Sequence, residues 1–179
     1  MSQKSKRLNK AFFERSAEEV AKELLGKILV RILPTGAKKE GIIIETEAYV
    51  GVKDRASHSF GGRRTKRNEI MYGEAGRIYV YFTYGMHWML NFVVSGKNDP
   101  QAVLIRGLDN VSGPARLTKY LGIDKSFYGE DLTKSKRIWV EDAGNIVAKK
   151  DIQSLPRIGV NYARQWKNKK LRFLIRFTK

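Results

Sequence analysis

The chain has 179 residues, 42% of them apolar, which suits one compact domain with a real core and leaves little room for a second. Its 35 Lys and Arg against 18 Asp and Glu give a net charge of +17, so the expected partner is a polyanion bound through counterion release. The absence of cysteine excludes disulfides, thiolate zinc sites and iron–sulfur clusters, and no apolar run approaches the ~18 residues of a membrane span.

Residues 1–10 read as a mobile basic tail and 11–179 as a single domain. Ser16-Ala-Glu-Glu19 has the capping-box pattern, and Val20, Ala21, Leu24 and Leu25 continue it as an apolar stripe that Gly26 can end. Strands are predicted at 28–33 and 41–49, followed by a polar, Gly- and Arg-rich loop over 51–76. The aromatic and β-branched run 78–94 breaks at Tyr84-Gly85, which predicts a hairpin tip. A strand over 102–108 follows, then a helix opened by Gly113-Pro114 and closed by Gly122. Further strands are predicted at 137–141, 145–149 and 171–177, with a short helix over about 161–168. Strands dominate and few are joined by crossover helices. The expected fold is α+β: a curved, mostly antiparallel sheet with peripheral helices and a protruding β-hairpin.

The chemistry concentrates in a few places. In Ile42-Ile-Ile-Glu-Thr-Glu-Ala-Tyr49, strand alternation puts Ile43, Glu45, Glu47 and Tyr49 on one face. A carboxylate near a polyanion is electrostatically unfavourable, so it needs a reason: general-base work on a water, metal binding, or pairing with a cation. Arg106 lies inside an apolar strand and demands an anionic partner such as Glu47. Arg63, Arg64, Lys66 and Arg67 have the character of phosphate clamps. Tyr84, beside Gly85 at the hairpin tip, is poorly placed for burial and well placed to enter a base stack. Asn91 interrupts an apolar strand, so it hydrogen-bonds internally or faces a polar ligand. Phe82, Trp88 and Phe92 read as core. The only histidines are His58 and His87, too few for a histidine-based metal site.

Several short motifs then fall in a familiar order: Glu45-Thr-Glu-Ala-Tyr49, Ala56-Ser-His58, Thr65-Lys-Arg-Asn68, Tyr79-Val-Tyr81, Tyr84-Gly-Met86, Val103-Leu-Ile-Arg106, Gly113-Pro114 and Pro156-Arg-Ile-Gly159. In these, and in Leu24-Leu-Gly-Lys27 and Leu171-Arg-Phe173, the chain resembles the alkyladenine (3-methyladenine) DNA glycosylase family over about residues 16–177. The resemblance implies a monofunctional enzyme that flips an alkylated or deaminated purine from duplex DNA and hydrolyses its N-glycosidic bond. The substrate class would span 3-methyladenine, 7-methylguanine, hypoxanthine and ethenoadenine. It implies Glu47 as general base and Arg106 as a holder of the attacking water. The base pocket would comprise Tyr49, His58 and Tyr81, with His58 opposite the two tyrosines. Asn91 would reject guanine, and Tyr84 would be the intercalating wedge. No cofactor or metal is expected. The expected actor is a monomer, intracellular in cytoplasm and nucleoid or in a nucleus, and not membrane-bound. Three other readings of the same residues are a metal-dependent nuclease using Glu45, Glu47 and Asp54, a glycosylase–lyase with a lysine nucleophile, and a non-catalytic nucleic-acid-binding module.

Overall fold

The computed structural model describes residues 5–176. In chain order the elements are β1 (Lys6–Arg7), α1 (Lys10–Phe13), α2 (Ala17–Glu23), β2 (Ile28–Ile32), β3 (Lys38–Tyr49), β4 (Ile78–Thr83), β5 (His87–Val94), β6 (Gln101–Leu108), β7 (Val111–Ser112), α3 (Pro114–Leu121), β8 (Ile138–Asp142), β9 (Ile152–Leu155) and β10 (Arg172–Ile175). Among the described residues the strands form one sheet in the order β1-β8-β2-β3-β6-β5-β4, with β10 joining β3 to β9 and β7 attached to β6. Every pairing between these strands is antiparallel, so the fold is the expected α+β class. No helix in the described residues is long and apolar enough to cross a membrane.

Strand β3 is the hub. Its first half pairs with β2 on one edge, its second half with β10 on that same edge, and β6 runs along the other. Alternation along the central strands separates two faces. Val80, Leu90, Phe92, Val103 and Ile105 point into the main core with the apolar sides of α2 and α3. Tyr79, Tyr81, Asn91, Leu104 and Arg106 point the other way, into a cleft. Helix α2 starts at the Ser16–Glu19 capping box, and α3 runs from Pro114 at its first turn to Gly122 in the left-handed conformation.

Several expectations need correction. Lys6–Arg7 pairs with Glu141 and Asp142 of β8 and Leu8 is buried, so the tail expected over 1–10 is tied down from residue 6; residues 1–4 lie outside the described ones. Residues 145–149 form no strand. The edge of β8 is taken by β1, and Val147 packs instead on Gly26 and the core; the strand falls at β9, against β10. The helix expected over 161–168 is 3-10 turns broken at Arg164, whose φ is 51°. The last strand ends at Ile175, and the part expected at 177 lies outside the described residues. Phe82, expected in the core, is 44% exposed and leans on the half-buried Trp88. Register in β3 shifts at Ile44 and Glu45, both of which stand against Gly107 of β6. This β-bulge puts Ile43 into the core beside Ala48, not on the face of Glu45 and Glu47 as strict alternation implied.

The short link from β6 to α3 is fastened to β3 by side chains. Asp109 Oδ1 accepts the Ile42 N–H at 2.8 Å, and the Asn110 amide donates to the Glu40 carbonyl at 2.9 Å. Gly41 lies beneath this turn, where an added Cβ would meet Leu108 Cβ and Asn110 Oδ1 at 2.9 Å and Asp109 Oδ1 at 3.0 Å. Gly41→Ala is expected to cost about 1–3 kcal/mol through overpacking, lowering the melting temperature by about 2–4 °C per kcal/mol. A thermal melt equal to wild type would show that the turn is not pinned on β3.

Candidate active site

The bulge in β3 aims Glu45 and Glu47 away from the helices, and the sheet delivers partners to both. Glu47 Oε1 accepts the Ile158 N–H at 2.9 Å, and Oε2 accepts the Tyr49 hydroxyl at 2.9 Å. Arg106 Nη1 on the neighbouring β6 lies 3.4 Å from Glu47 Oε1. The same guanidinium donates from Nε to Glu45 Oε1 at 3.2 Å, and Arg172 of β10 donates to that oxygen at 2.9 Å. Arg106 therefore bridges two carboxylates, which answers the expectation that its buried charge needs an anion. Glu47 is fully buried. Burial pushes its carboxyl above the usual range, and it outweighs the opposing pull of Arg106, the Ile158 amide, the Tyr49 hydroxyl and Arg157.

Above this carboxylate lies an open cavity of about 340 Å³, in the size range of small-molecule pockets. Tyr49, His58, Tyr81, Tyr84, Asn91 and Arg106 all line it, so the sequence-derived site residues converge from β3, β4, β5, β6 and the loop after β3. Glu47 does not line the cavity itself. The three groups that touch it, from Tyr49, Arg106 and Ile158, do.

His58 is not opposite the two tyrosines. Its ring lies 4.6 Å from that of Tyr81, edge to face, and Nδ1 shares a 2.7 Å hydrogen bond with the Tyr79 hydroxyl. A stacked base needs about 7 Å between the rings that flank it, so none fits between His58 and Tyr81. These two form a single wall, and Tyr49 belongs to another, packed on Ala56, Val160 and Ala163. Burial first, then the cations Arg67 and Arg63, push the His58 pKa down to about 4, so the imidazole is neutral at physiological pH. Burial likewise holds the Tyr49 and Tyr81 hydroxyls protonated. The Asn91 amide donates to the carbonyls of Tyr79 and Met89 at 3.2 and 3.4 Å. Two carbonyl partners fix which end is nitrogen, and leave Oδ1 as the end available to a ligand.

Tyr84 stands at the hairpin tip, 78% exposed, beside Met86 at 68%. Both Tyr84 and Gly85 have left-handed backbone, with φ of 52° and 64°. Such φ is uncommon for a tyrosine, and here it turns the ring toward the mouth of the cleft. The four predicted clamps divide. Arg63 and Lys66 are exposed, whereas Arg64 is paired with Glu69. Arg67 lines the cleft, donating to the Phe82 carbonyl at 3.2 Å with its guanidinium 5.2 Å from the Tyr81 ring centroid.

Asp54, assigned to a metal in the nuclease reading, is instead fully buried against Arg157: Arg157 Nη2 donates to Oδ1 at 2.8 Å, and Nη1 donates to Oδ2 and to the Ala48 carbonyl. The described residues hold no cluster of three or more metal-ligating side chains of His, Cys, Asp or Glu. Sequence reasoning missed the Ile158 amide, Arg157 and Tyr162, whose exposed ring lines the cleft. The only signal was the Pro156-Arg-Ile-Gly159 run, an arginine between a proline and an apolar residue with no local acid. Its partner is 103 residues away.

The pattern of the methylpurine-DNA glycosylase (MPG) family matches residues 11–112 and 109–179. The human DNA-3-methyladenine glycosylase is 35% identical over 198 aligned residues, covering 95% of this chain and 66% of the human one. A candidate 3-methyladenine DNA glycosylase of Desulfitobacterium hafniense is 39% identical over 197, covering 95% of each chain, and one of Borrelia garinii is 41% identical over 186, covering 96% and 97%. With a buried carboxylate beneath an aromatic cleft, and a family match that spans nearly the whole sequence, the chain belongs to the methylpurine-DNA glycosylase family, DNA repair enzymes that hydrolyse N-glycosidic bonds.

Proposed function

We propose that this protein, acting as a monomer, flips an alkylated or deaminated purine out of duplex DNA and hydrolyses its bond to the sugar with Glu47 as general base. The range taken is that of 3-methyladenine, 7-methylguanine, hypoxanthine and ethenoadenine. The observation that carries this reading is the buried Glu47 beneath an aromatic cleft, held by groups that themselves line the cleft.

The water oxygen bonds to the sugar C1′ while a water proton passes to Glu47. The C1′–N bond breaks with its electron pair going to the purine. Negative charge on Glu47 also steadies the cation-like sugar. Alkylation at N3 or N7 makes the base cationic and a better leaving group. Such a base gains about 0.5–2 kcal/mol per cation–π contact with tyrosine, and a neutral His58 does not repel it. Asn91, its amide held by the carbonyls of Tyr79 and Met89, disfavours guanine by crowding the exocyclic amine. Because Glu47 is sealed in the free protein, the water enters between Tyr49, Arg106 and Ile158 as the nucleotide docks; catalytic hydrogen bonds often tighten only in the complex. No lysine lines the cleft among the described residues, which supports the monofunctional reading over a lyase.

Exposed Arg63 and Lys66 contact phosphates, and Tyr84, at the mouth of the cleft, fills the gap left by the flipped base. Base–aromatic stacking of that kind is worth about 1–3 kcal/mol.

Three outcomes are expected. Glu47→Gln retains binding to lesion duplex and loses single-turnover excision by about a hundredfold or more; near-normal excision by this variant sinks the base assignment. Tyr84→Ala keeps the melting temperature and loses excision most on lesions that still pair well, less opposite a mismatch. Equal loss on both duplexes, or early unfolding, assigns the ring a structural role. Replacing Arg63 and Lys66 together by Ala lowers the slope of log affinity against log salt on undamaged duplex by about one unit per lost phosphate contact, and an unchanged slope places the DNA elsewhere.

A further inference from the structure

The buried Asp54–Arg157 pair is the part of the site that the reaction above leaves without a task. Both side chains are fully buried. Such a pair costs desolvation on both ions, so its retention beside a cleft calls for an account. Arg157 makes three kinds of contact with the machinery. It donates to the carbonyl of Ala48, the residue between Glu47 and Tyr49. Its guanidinium lies 4.7 Å from the centroid of the Tyr49 ring. Its own peptide leads directly into the Ile158 N–H that binds Glu47 Oε1. Asp54 holds the far side: Oδ1 also accepts the Ala56 N–H at 2.9 Å and Oδ2 the Val50 N–H at 3.2 Å, fixing the turn that leads to His58.

We propose that Arg157, clamped by Asp54, is a positioning residue that sets the orientation of Glu47 and Tyr49 and supplies part of the positive field that favours the ionised form of Glu47. The proposal rests on Glu47 being the general base. A guanidinium suits the task because its planar fork grips carboxylate and carbonyl with Nη1 and Nη2 while its face stays on the tyrosine ring; an ammonium cannot do both. Nε of Arg157 is buried without a hydrogen-bond partner, which the two-pronged grip on Asp54 leaves over. Burial of Glu47 raises its pKa, and Arg157 is among the groups that oppose the rise. The remaining charges around Glu47 come from β6 (Arg106), β3 (Glu45) and β10 (Arg172); the Tyr49 hydroxyl donates to it, and the hydroxyls of Tyr81 and Tyr162 act on it through space.

The sign of the effect separates a positioning role from a merely structural one. Removing the cation disfavours ionised Glu47, so Arg157→Gln moves the acid limb of single-turnover excision to higher pH and lowers the plateau at least tenfold. Removing the counter-anion frees the field of Arg157, so Asp54→Asn moves the limb to lower pH. The charges on Arg106, Glu45 and Arg172 are common to both variants. Rates are read on a single-lesion duplex below the melting temperature of each variant. Limbs that stay at the wild-type pH, or move in the same direction in both variants, overturn the proposal. If Arg157→Gln does not fold, Arg157→Lys serves in its place: the charge is kept and the fork lost, so the limb stays at wild type while the plateau falls, and an unchanged plateau overturns the proposal. Glu47→Gln run in parallel keeps the two claims apart. Should it excise normally, the base reading fails; should it be dead while the limbs do not separate, only the positioning claim fails.

Discussion

Everything in this site follows from holding one carboxyl group out of water. Glu47 is fully buried, and moving a carboxylate to such a place costs several kcal/mol even after relaxation. The Coulomb attraction of Arg106 at 3.4 Å is about 5 kcal/mol at an effective dielectric of about 20, the same size as the cost it opposes. Burial still wins, since the Glu47 pKa is raised, so each extra donor counts. The Ile158 amide, the Tyr49 hydroxyl and the Arg157 guanidinium are those donors and charges. They come from a loop more than a hundred residues along the chain and from the same strand, which is why the site needs the whole fold.

The sheet makes this possible by dividing labour between its faces. One face is closed by α2 and α3 over an apolar core, giving rigid strands. The other carries polar and aromatic side chains at the same strand positions, shifted by one residue. The β-bulge at Ile44 and Glu45 is the point where β3 passes between the two duties: Ile43 belongs to the core, Glu45 and Glu47 to the site. At the far end, the hairpin between β4 and β5 extends beyond the packed layer and ends in a tyrosine with left-handed backbone, an arrangement that contributes nothing to the core. A carboxyl group held by the sheet and an exposed aromatic at its edge are what the proposed excision from a duplex requires: precise proton transfer and displacement of a stacked base.

Much of this was legible in the sequence, for reasons that are local. The Ser16–Glu19 cap, the Tyr84-Gly85 tip and the Gly113-Pro114 helix start are decided by residues within a few positions of each other, and each appears where expected. The convergence of Tyr49, His58, Tyr81, Asn91 and Arg106 on one cleft was legible only through the motif order. What escaped depends on distant partners. No alternation rule reveals the bulge, because it arises from the pairing of β3 with Gly107. Residues 145–149 have the composition of a strand and lack a free edge to join. His58 was placed across from Tyr81, whereas its bond to Tyr79 holds it alongside. Asp54 looked like a ligand because its partner, Arg157, lies on a different segment.

As the proposed general base, buried Glu47 sets the onset of excision by its ionisation. Its side-chain carboxyl can be followed directly by carbon-13 NMR across a pH titration, with the resonance assigned from its absence in Glu47→Gln. The expected midpoint lies above the ~4.3 of an ordinary glutamate and coincides with the acid limb of single-turnover excision. A midpoint at or below the ordinary value, or an excision limb that does not follow the Glu47 titration, contradicts that role.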